Sequence, residues 1–304
     1  MIEGVHGIVR RLVSSPQEVA VVEWRRGSAT FRFRVPGDDM WISVKDDLLI
    51  REYEWMGVDL TDTSGLVVDA GAHVGTFAAM ATLFADRVVA FEPNPDNLEL
   101  LRANIDDNGL DSIEVRAQAL WSDTEGRNIS GRSSWTSVVD DDTAGDDTER
   151  VDVATTTLTD LLNEIGQVDL LKIDIEGAEF AVFEHTSDEM LRRIRRIAGE
   201  IHPVHGDADA IVKQLEGAGF DVTLKKGPFH EPWSALGAIR SNHRSIRGHY
   251  RLKIVVPLLY VTAAVIERIR PGFRDRIGWI PLFLLYAERR DVPADNAPRP
   301  RTAT

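Results

Sequence analysis

Apolar runs alternate with polar, helically periodic segments through the middle of the chain, and this alternation predicts an α/β domain. Val67, Val68 and Ala70 mark a short strand at 66–70, followed by a helix from Gly75, a strand at 87–92, a helix over 95–108 and a strand at 112–117. An acidic insertion rich in Gly, Ser and Thr occupies 122–150. The pattern then resumes with a helix near 158–165, a strand at 168–175, a helix near 208–218 and strands near 220–225 and 234–240. Such an order argues a parallel sheet covered by helices, a doubly wound fold. Upstream, Phe31, Phe33 and Val35 alternate with Arg32 and Arg34, which suggests an edge strand or hairpin in an N-terminal cap of residues 1–64.

Further along, the apolar stretches 254–266, broken by Pro257, and 280–287 fall short of the roughly 20 residues a spanning helix needs. Arg247, Arg251, Lys253, Arg268, Arg270, Arg274 and Arg276 flank them. Residues 244–290 are therefore expected to form a helical apolar and basic extension. It would lie on an anionic membrane surface, or pack on the main body or a second subunit as in a homodimer. The organisation expected is a cap (1–64), a cofactor-binding domain (65–243), this extension and a disordered Pro-, Ala-, Arg- and Asp-rich tail (291–304). No basic leader precedes an apolar run at the start, which favours a cytoplasmic protein, peripheral on the inner face of the membrane if the extension binds lipid.

Composition narrows the chemistry. The 304 residues suffice for one α/β domain with extensions, and the absence of cysteine removes disulfides, thiolate metal sites and cysteine nucleophiles. A net charge of −14 opposes nucleic acid as a partner, because binding phosphates needs clustered Lys and Arg. Only 6 of the 35 basic residues are lysine, a bias that resembles haloarchaeal proteins but that GC-rich codon usage with a solvated acidic face would also produce.

The candidate chemistry starts where the first strand runs into Asp69-Ala70-Gly71-Ala72-His73-Val74-Gly75. Glycine lets a backbone approach a ligand closely, and Glu92, 21 positions after Gly71 at the end of the next strand, could accept hydrogen bonds from both hydroxyls of a ribose. A dinucleotide site needs G-x-G-x-x-G, whereas Asp-x-Gly-x-x-x-Gly resembles the first motif of S-adenosylmethionine-dependent methyltransferases. An ordinary tight strand-to-helix turn would account for the glycines alone. Pro93 stiffens the loop after Glu92, and Asn94-Pro95-Asp96-Asn97 offers capping chemistry for the next helix.

Four segments carry a wider resemblance: 67–75; Ala90-Phe91-Glu92-Pro93-Asn94-Pro95; 119–126, which begins Ala119-Leu120-Trp121; and Lys172-Ile173-Asp174-Ile175-Glu176-Gly177-Ala178-Glu179. Together they resemble the FkbM-type S-adenosylmethionine-dependent O-methyltransferases over about 46–240. The resemblance implies a Rossmann-like class I methyltransferase sheet. It implies a cofactor site of Asp69, Gly71, His73, Gly75, Glu92, Pro93, Asn94, Asn97, Ala119 and Leu120, with His73 shaping the loop and Asp69 near the methionine amino group. Asp174 and Glu176 are then the expected active-site carboxylates, and Trp135, Ser137 and Glu200 the substrate-facing residues.

Strand alternation puts Lys172, Asp174 and Glu176 on one side, and Glu200 and His202 together at the end of the following strand. Asp174 could take the proton of an attacking hydroxyl, and His202 could act as a base. Asp174, Glu176 and His202 could also offer oxygen and nitrogen ligands to a divalent cation, although no metal is assigned. A structural alternative pairs Lys172 with Asp174 and has Glu176 cap the next helix. Since Asp174-Ile175-Glu176-Gly177 stands where nucleic-acid aminomethylases usually carry Asn/Asp-Pro-Pro-Tyr/Phe, oxygen is the expected acceptor atom. The expected substrate is a hydroxyl or carboxyl of a sugar, glycan or lipid-linked small molecule. A noncatalytic nucleoside-binding module with assembly helices is the competing reading.

Overall fold

Apolar alternation becomes buried structure from the first element onward. The computed structural model describes residues 19–26, 28–36, 60, 62–130, 137–139, 150–226 and 283–290. The elements begin with β1 (Val19–Arg26), β2 (Ala29–Pro36), β3 (Leu66–Ala70), α1 (Thr76–Ala81), β4 (Arg87–Phe91), α2 (Pro95–Asn108), β5 (Ile113–Arg116) and β6 (Gln118–Trp121). They continue with β7 (Arg127–Ser130), β8 (Ser137–Val139), β9 (Arg150–Thr157), α3 (Leu158–Ile165), β10 (Val168–Ile173), α4 (Glu179–Glu184) and α5 (Asp188–Leu191). The last are β11 (Ile194–Ile201), α6 (Ala208–Ala218), β12 (Phe220–Lys226) and β13 (Phe283–Arg289).

Seven strands form the main sheet in the order β12–β13–β11–β10–β3–β4–β5. From β11 to β5 all neighbours are parallel, while β13 runs antiparallel to both β11 and β12. Successive residues serve opposite faces. Val67, Val88, Ala90 and Leu170 pack against α1, α2, Phe31, Phe33 and Val35. Val68, Val89, Leu171 and Ile173 pack against Leu161 and Leu162 of α3, Val182 and Phe183 of α4, and Ile211 and Leu215 of α6. Each large apolar side chain removed from water contributes about 1.5–3 kcal/mol, which explains why the central strands read as unbroken apolar runs. This is the expected doubly wound sheet, with one antiparallel strand inserted near an edge.

Helix α2 shows the local chemistry clearly. Asn94 caps its start by accepting from the amides of Asp96 (2.9 Å) and Asn97 (3.4 Å), Pro95 occupies the first turn, and Gly109 ends it at φ 62°. The hairpin β1–β2 docks on this helix through side-chain amides. Asn108 accepts from Arg32 N and donates to Arg32 O, and Asn104 does the same with Arg34 N and O. The two asparagines satisfy the free edge of β2 as a neighbouring strand would.

Strand β13 corrects the expectation for the C-terminal extension. Phe283–Arg289 is a core strand, not helix: Leu284, Leu285 and Ala287 are fully buried between β11 and β12. The strand expected at 234–240, the rest of the extension (244–282) and the tail lie outside the described residues. The acidic insertion also holds strands: β7 and β8 pair with each other and β7 with β9, while β9 runs parallel to β6, making a second sheet ordered β6–β9–β7–β8. Among the described residues no helix is long and apolar enough to cross a membrane.

Candidate active site

Strand order reverses at β3: β4 and β5 lie on one side of it, β10 and β11 on the other. Ligands of open α/β sheets bind where that reversal opens a crevice, at the carboxyl ends of the strands. The loop 71–75 and the exits of β4, β10 and β11 converge there.

The glycine loop is built for close packing. Gly71 takes φ 80°, and a Cβ on it would come within 1.8 Å of the Asp174 carbonyl oxygen, so the β10 exit itself requires glycine. Gly75, at φ 87°, would clash with Leu101 Cδ1 at 2.4 Å. The amides of Gly71 and Ala72 donate to Phe91 O at 3.1 and 2.8 Å, folding the loop over the end of β4. Lys172 ties it to β10, donating to Gly71 O at 2.8 Å and pairing with Asp69 at 3.1 Å. Asp69 is fully buried. In the parallel register Lys172 stands beside Asp69, the acid one strand over, as well as near Asp174 in sequence. Removing either partner of such a buried pair costs about 3–5 kcal/mol.

Glu92 leaves the end of β4 and is 5% exposed. Its Oε2 accepts from His73 N at 2.8 Å, and its Oε1 from Asn94 N at 2.8 Å and Asn97 Nδ2 at 3.4 Å. His73 adopts φ 52°, which presents its amide to the carboxylate. Burial raises the Glu92 pKa, while the charge of His73 and these N–H donors work against the rise. A carboxylate offers about four acceptor positions, so capacity remains for ligand hydroxyls. The set therefore fits the ribose of a nucleoside, with His73 acting through its backbone. Pro93 is half-buried, whereas Ala119 and Leu120 are packed inside the protein, Leu120 beside Phe91 and Leu158. Any contact from those two to a ligand would come from the backbone.

On the other side, β10 ends at Ile173, so the expected alternation stops before Asp174. Glu176 and Gly177 both take left-handed backbone, φ 52° and 104°, at a cost of ~1–3 kcal/mol for the non-glycine residue. Glu176 does not cap α4: Ala178 holds that position without a side-chain cap. Instead Glu176 Oε2 lies 3.4 Å from Nε2 of His202. Glu179, 0% exposed, receives both Ile175 N and His202 Nδ1 on Oε1 at 3.1 Å. Asp174, Glu200 and His202 place their ligating atoms within 4.8 Å of one another.

This setting favours the protonated form of His202. Burial disfavours the charged imidazole, but the hydrogen bond to Glu179 and the charges of Glu179, Asp174 and Glu176 outweigh it and push the pKa to about 9. A pKa pushed up to about 9 favours the charged imidazolium at neutral pH, which makes Asp174 the stronger candidate for the base expected among these residues. One cation could span Asp174, Glu200 and His202, with the imidazole binding it in the neutral form.

The protonated histidine also links stability to pH. Its folded pKa of about 9 stands above the unfolded 6.5, so its contribution is fully present below pH 6.5 and lost as pH rises through 9. The difference corresponds to on the order of 3 kcal/mol. Urea unfolding at pH 6 and pH 9.5 is expected to show the lower midpoint at pH 9.5, and His202→Gln should flatten the dependence.

Of the residues expected at the site, Asp174, Glu176, Glu200 and His202 are brought together, and Glu92 with Asn94 and Asn97 forms the opposite wall. Trp135 lies outside the described residues, and for Ser137 the structure gives only its backbone pairing in β8 with Ser130. Sequence reasoning missed Glu179, and it did not foresee Asp69 as the partner of Lys172. Glu179 stood in view three positions after Glu176, but nothing in spacing alone showed that the chain would turn to bury it.

Residues 69–222 match the family described as the Methyltransferase FkbM domain. A relative, "31-O-demethyl-FK506 methyltransferase FkbM" of Streptomyces tacrolimicus, is 28% identical over 245 residues, covering 70% of this chain and 90% of that one. "Methyltransferase sdnD" of Sordaria araneosa is 28% identical over 193 residues, covering 52% and 74%. The crystal structure of Methyltransferase FkbM from Methylobacillus flagellatus KT shares 15% identity and a TM-score of 0.36 over 62% of this chain and 50% of that one. With the family match spanning the glycine loop, Glu92 and the β10 and β11 exits, the chain belongs to the FkbM family of S-adenosylmethionine-dependent methyltransferases.

Proposed function

We propose that the protein methylates a hydroxyl oxygen of a neutral sugar, glycan or lipid-linked small molecule. The observation that carries this reading is the meeting of Asp174, Glu200 and His202 within 4.8 Å at the sheet edge, across from the Glu92 wall. S-adenosylmethionine supplies a methyl carbon on a cationic sulfur, which keeps the C–S electron pair as the acceptor oxygen bonds to that carbon. The protein has to align acceptor and methyl, remove one proton and exclude water. In this reading Asp174 accepts the hydroxyl proton. With Nδ1 of His202 taken by Glu179, Nε2 is the nitrogen left to meet an acceptor hydroxyl, in competition with Glu176 Oε2 at 3.4 Å.

Charge distinguishes hydroxyl from carboxyl acceptors. Asp174, Glu176, Glu179 and Glu200 surround a single imidazolium, and a carboxylate or phosphate entering there would meet like charge. The same balance disfavours a nucleic-acid acceptor. The basic flanks of 254–266 support a lipid-linked acceptor from sequence alone.

Incubation with methyl-labelled S-adenosylmethionine and a panel of neutral sugars, glycosides, polyketide alcohols and carboxylic acids tests the reading. The expected product is an alkali-stable ether on a neutral hydroxyl. Label released by mild alkali would mean a methyl ester and a carboxyl acceptor instead.

A further inference from the structure

We infer that Glu179 is a positioning residue for methyl transfer: one buried carboxylate oxygen binds the β10 exit and the β11 exit into a single unit that sets His202 beside Asp174. The inference rests on the hydroxyl-methylation reading above. Oε1 of Glu179 accepts from Ile175 N, one residue beyond Asp174, and from His202 Nδ1, each at 3.1 Å.

Its burial makes the arrangement specific. Glu179 is 0% exposed, and its Oε2 has no hydrogen-bond partner among the described residues, so its polar contacts run through the oxygen that holds the two exits. A carboxylate so deeply buried needs a cationic partner, which His202 provides. The backbone between Asp174 and Glu179 passes through the left-handed pair Glu176 and Gly177, a shape that requires holding from outside. A carboxylate orienting the Nδ1 side of an imidazole, leaving Nε2 toward the reaction, is a common device for fixing histidine. Here Nε2 faces Glu176 Oε2 at 3.4 Å. The charged or titratable groups around His202 are Glu176, Glu179, Asp174 and Glu200, with His205 following it in the chain and lying against Gly177.

Glu179 touches neither methyl nor acceptor, so its removal should act through His202. In Glu179→Gln, calorimetric binding of S-adenosylmethionine should stay within 2-fold of the parent, kcat on the acceptor found by the label screen should fall at least 30-fold with KM changed less than 3-fold, and the alkaline limb of the rate profile should move to lower pH by at least one unit. Glu179→Asp should recover part of the pH limb but little of the rate.

An arm that needs no acceptor uses 15N-histidine NMR. His202 in the full chain should titrate well above 6.5 with a hydrogen-bonded Nδ1 proton, and in Glu179→Gln its midpoint should drop. A parent His202 that titrates near 6.5, or an unchanged midpoint in the variant, would overturn the proposal even if no substrate is found. Equal kcat in parent and variant would overturn it as well. If the glutamine variant does not fold, the parent titration alone decides. Absence of turnover on every hydroxyl acceptor, with the NMR result as expected, would fault the acceptor reading and leave the Glu179 link standing.

Discussion

Replacing Glu92 with alanine is expected to weaken S-adenosylmethionine binding on the order of 100-fold in calorimetric titration, since one or two charge-assisted hydrogen bonds of ~1.5–3 kcal/mol each are lost. The carboxylate is held in place at the exit of β4. It is 5% exposed and fixed by three donors, two of them backbone amides. Alanine also strips the amides of His73 and Asn94 of their acceptor, so a moderate drop in thermal midpoint should accompany the loss. Acid should act in the same direction: burial has raised the Glu92 pKa, and parent affinity should begin to fall at a higher pH than for an exposed glutamate. Full affinity in a folded Glu92→Ala would rule this residue out as a ligand of the ribose hydroxyls.

Asp174→Asn should leave S-adenosylmethionine affinity nearly unchanged and reduce kcat by ~10²–10⁴, the usual range for losing a general base. The substitution keeps shape and takes away the proton acceptor. The backbone contacts of Asp174 remain, including its amide to Ala70 O at 3.1 Å, so the loop packed against Gly71 should hold. Single-turnover measurements would separate chemistry from product release. Unchanged turnover would mean that the proton leaves to water and that alignment alone drives the transfer.

Much of the fold was legible because strands buried on both faces must be apolar throughout, as at Val67, Val68, Val88 and Val89, and because turns leave glycine behind. The Glu92 wall was legible for the same reason: it needs only two consecutive strands and their loops. Contacts between distant segments were less accessible. Lys172 could be matched with Asp69 only once the parallel register was known, since both candidate acids lie near strand ends. Glu176 left the expected alternation because regular strand ends at Ile173, and Glu179 became a partner of His202 only through the left-handed turn between them. The run at 280–287 has no internal sign that separates a strand from a buried helix segment; its identity comes from a slot between β11 and β12.

That slot also orders events during synthesis. A ribosome releases β11 and β12 well before Phe283–Arg289, so for an interval the nascent chain holds two strands whose proper neighbour has not been made. Until it arrives, the buried Arg196 of β11 lacks Glu288, the residue opposite it across the strand pair, and the backbone beside Glu200 has unpaired edge groups open to other nascent chains. A chain interrupted before Phe283 would therefore present an aggregation-prone edge beside Glu200 and His202.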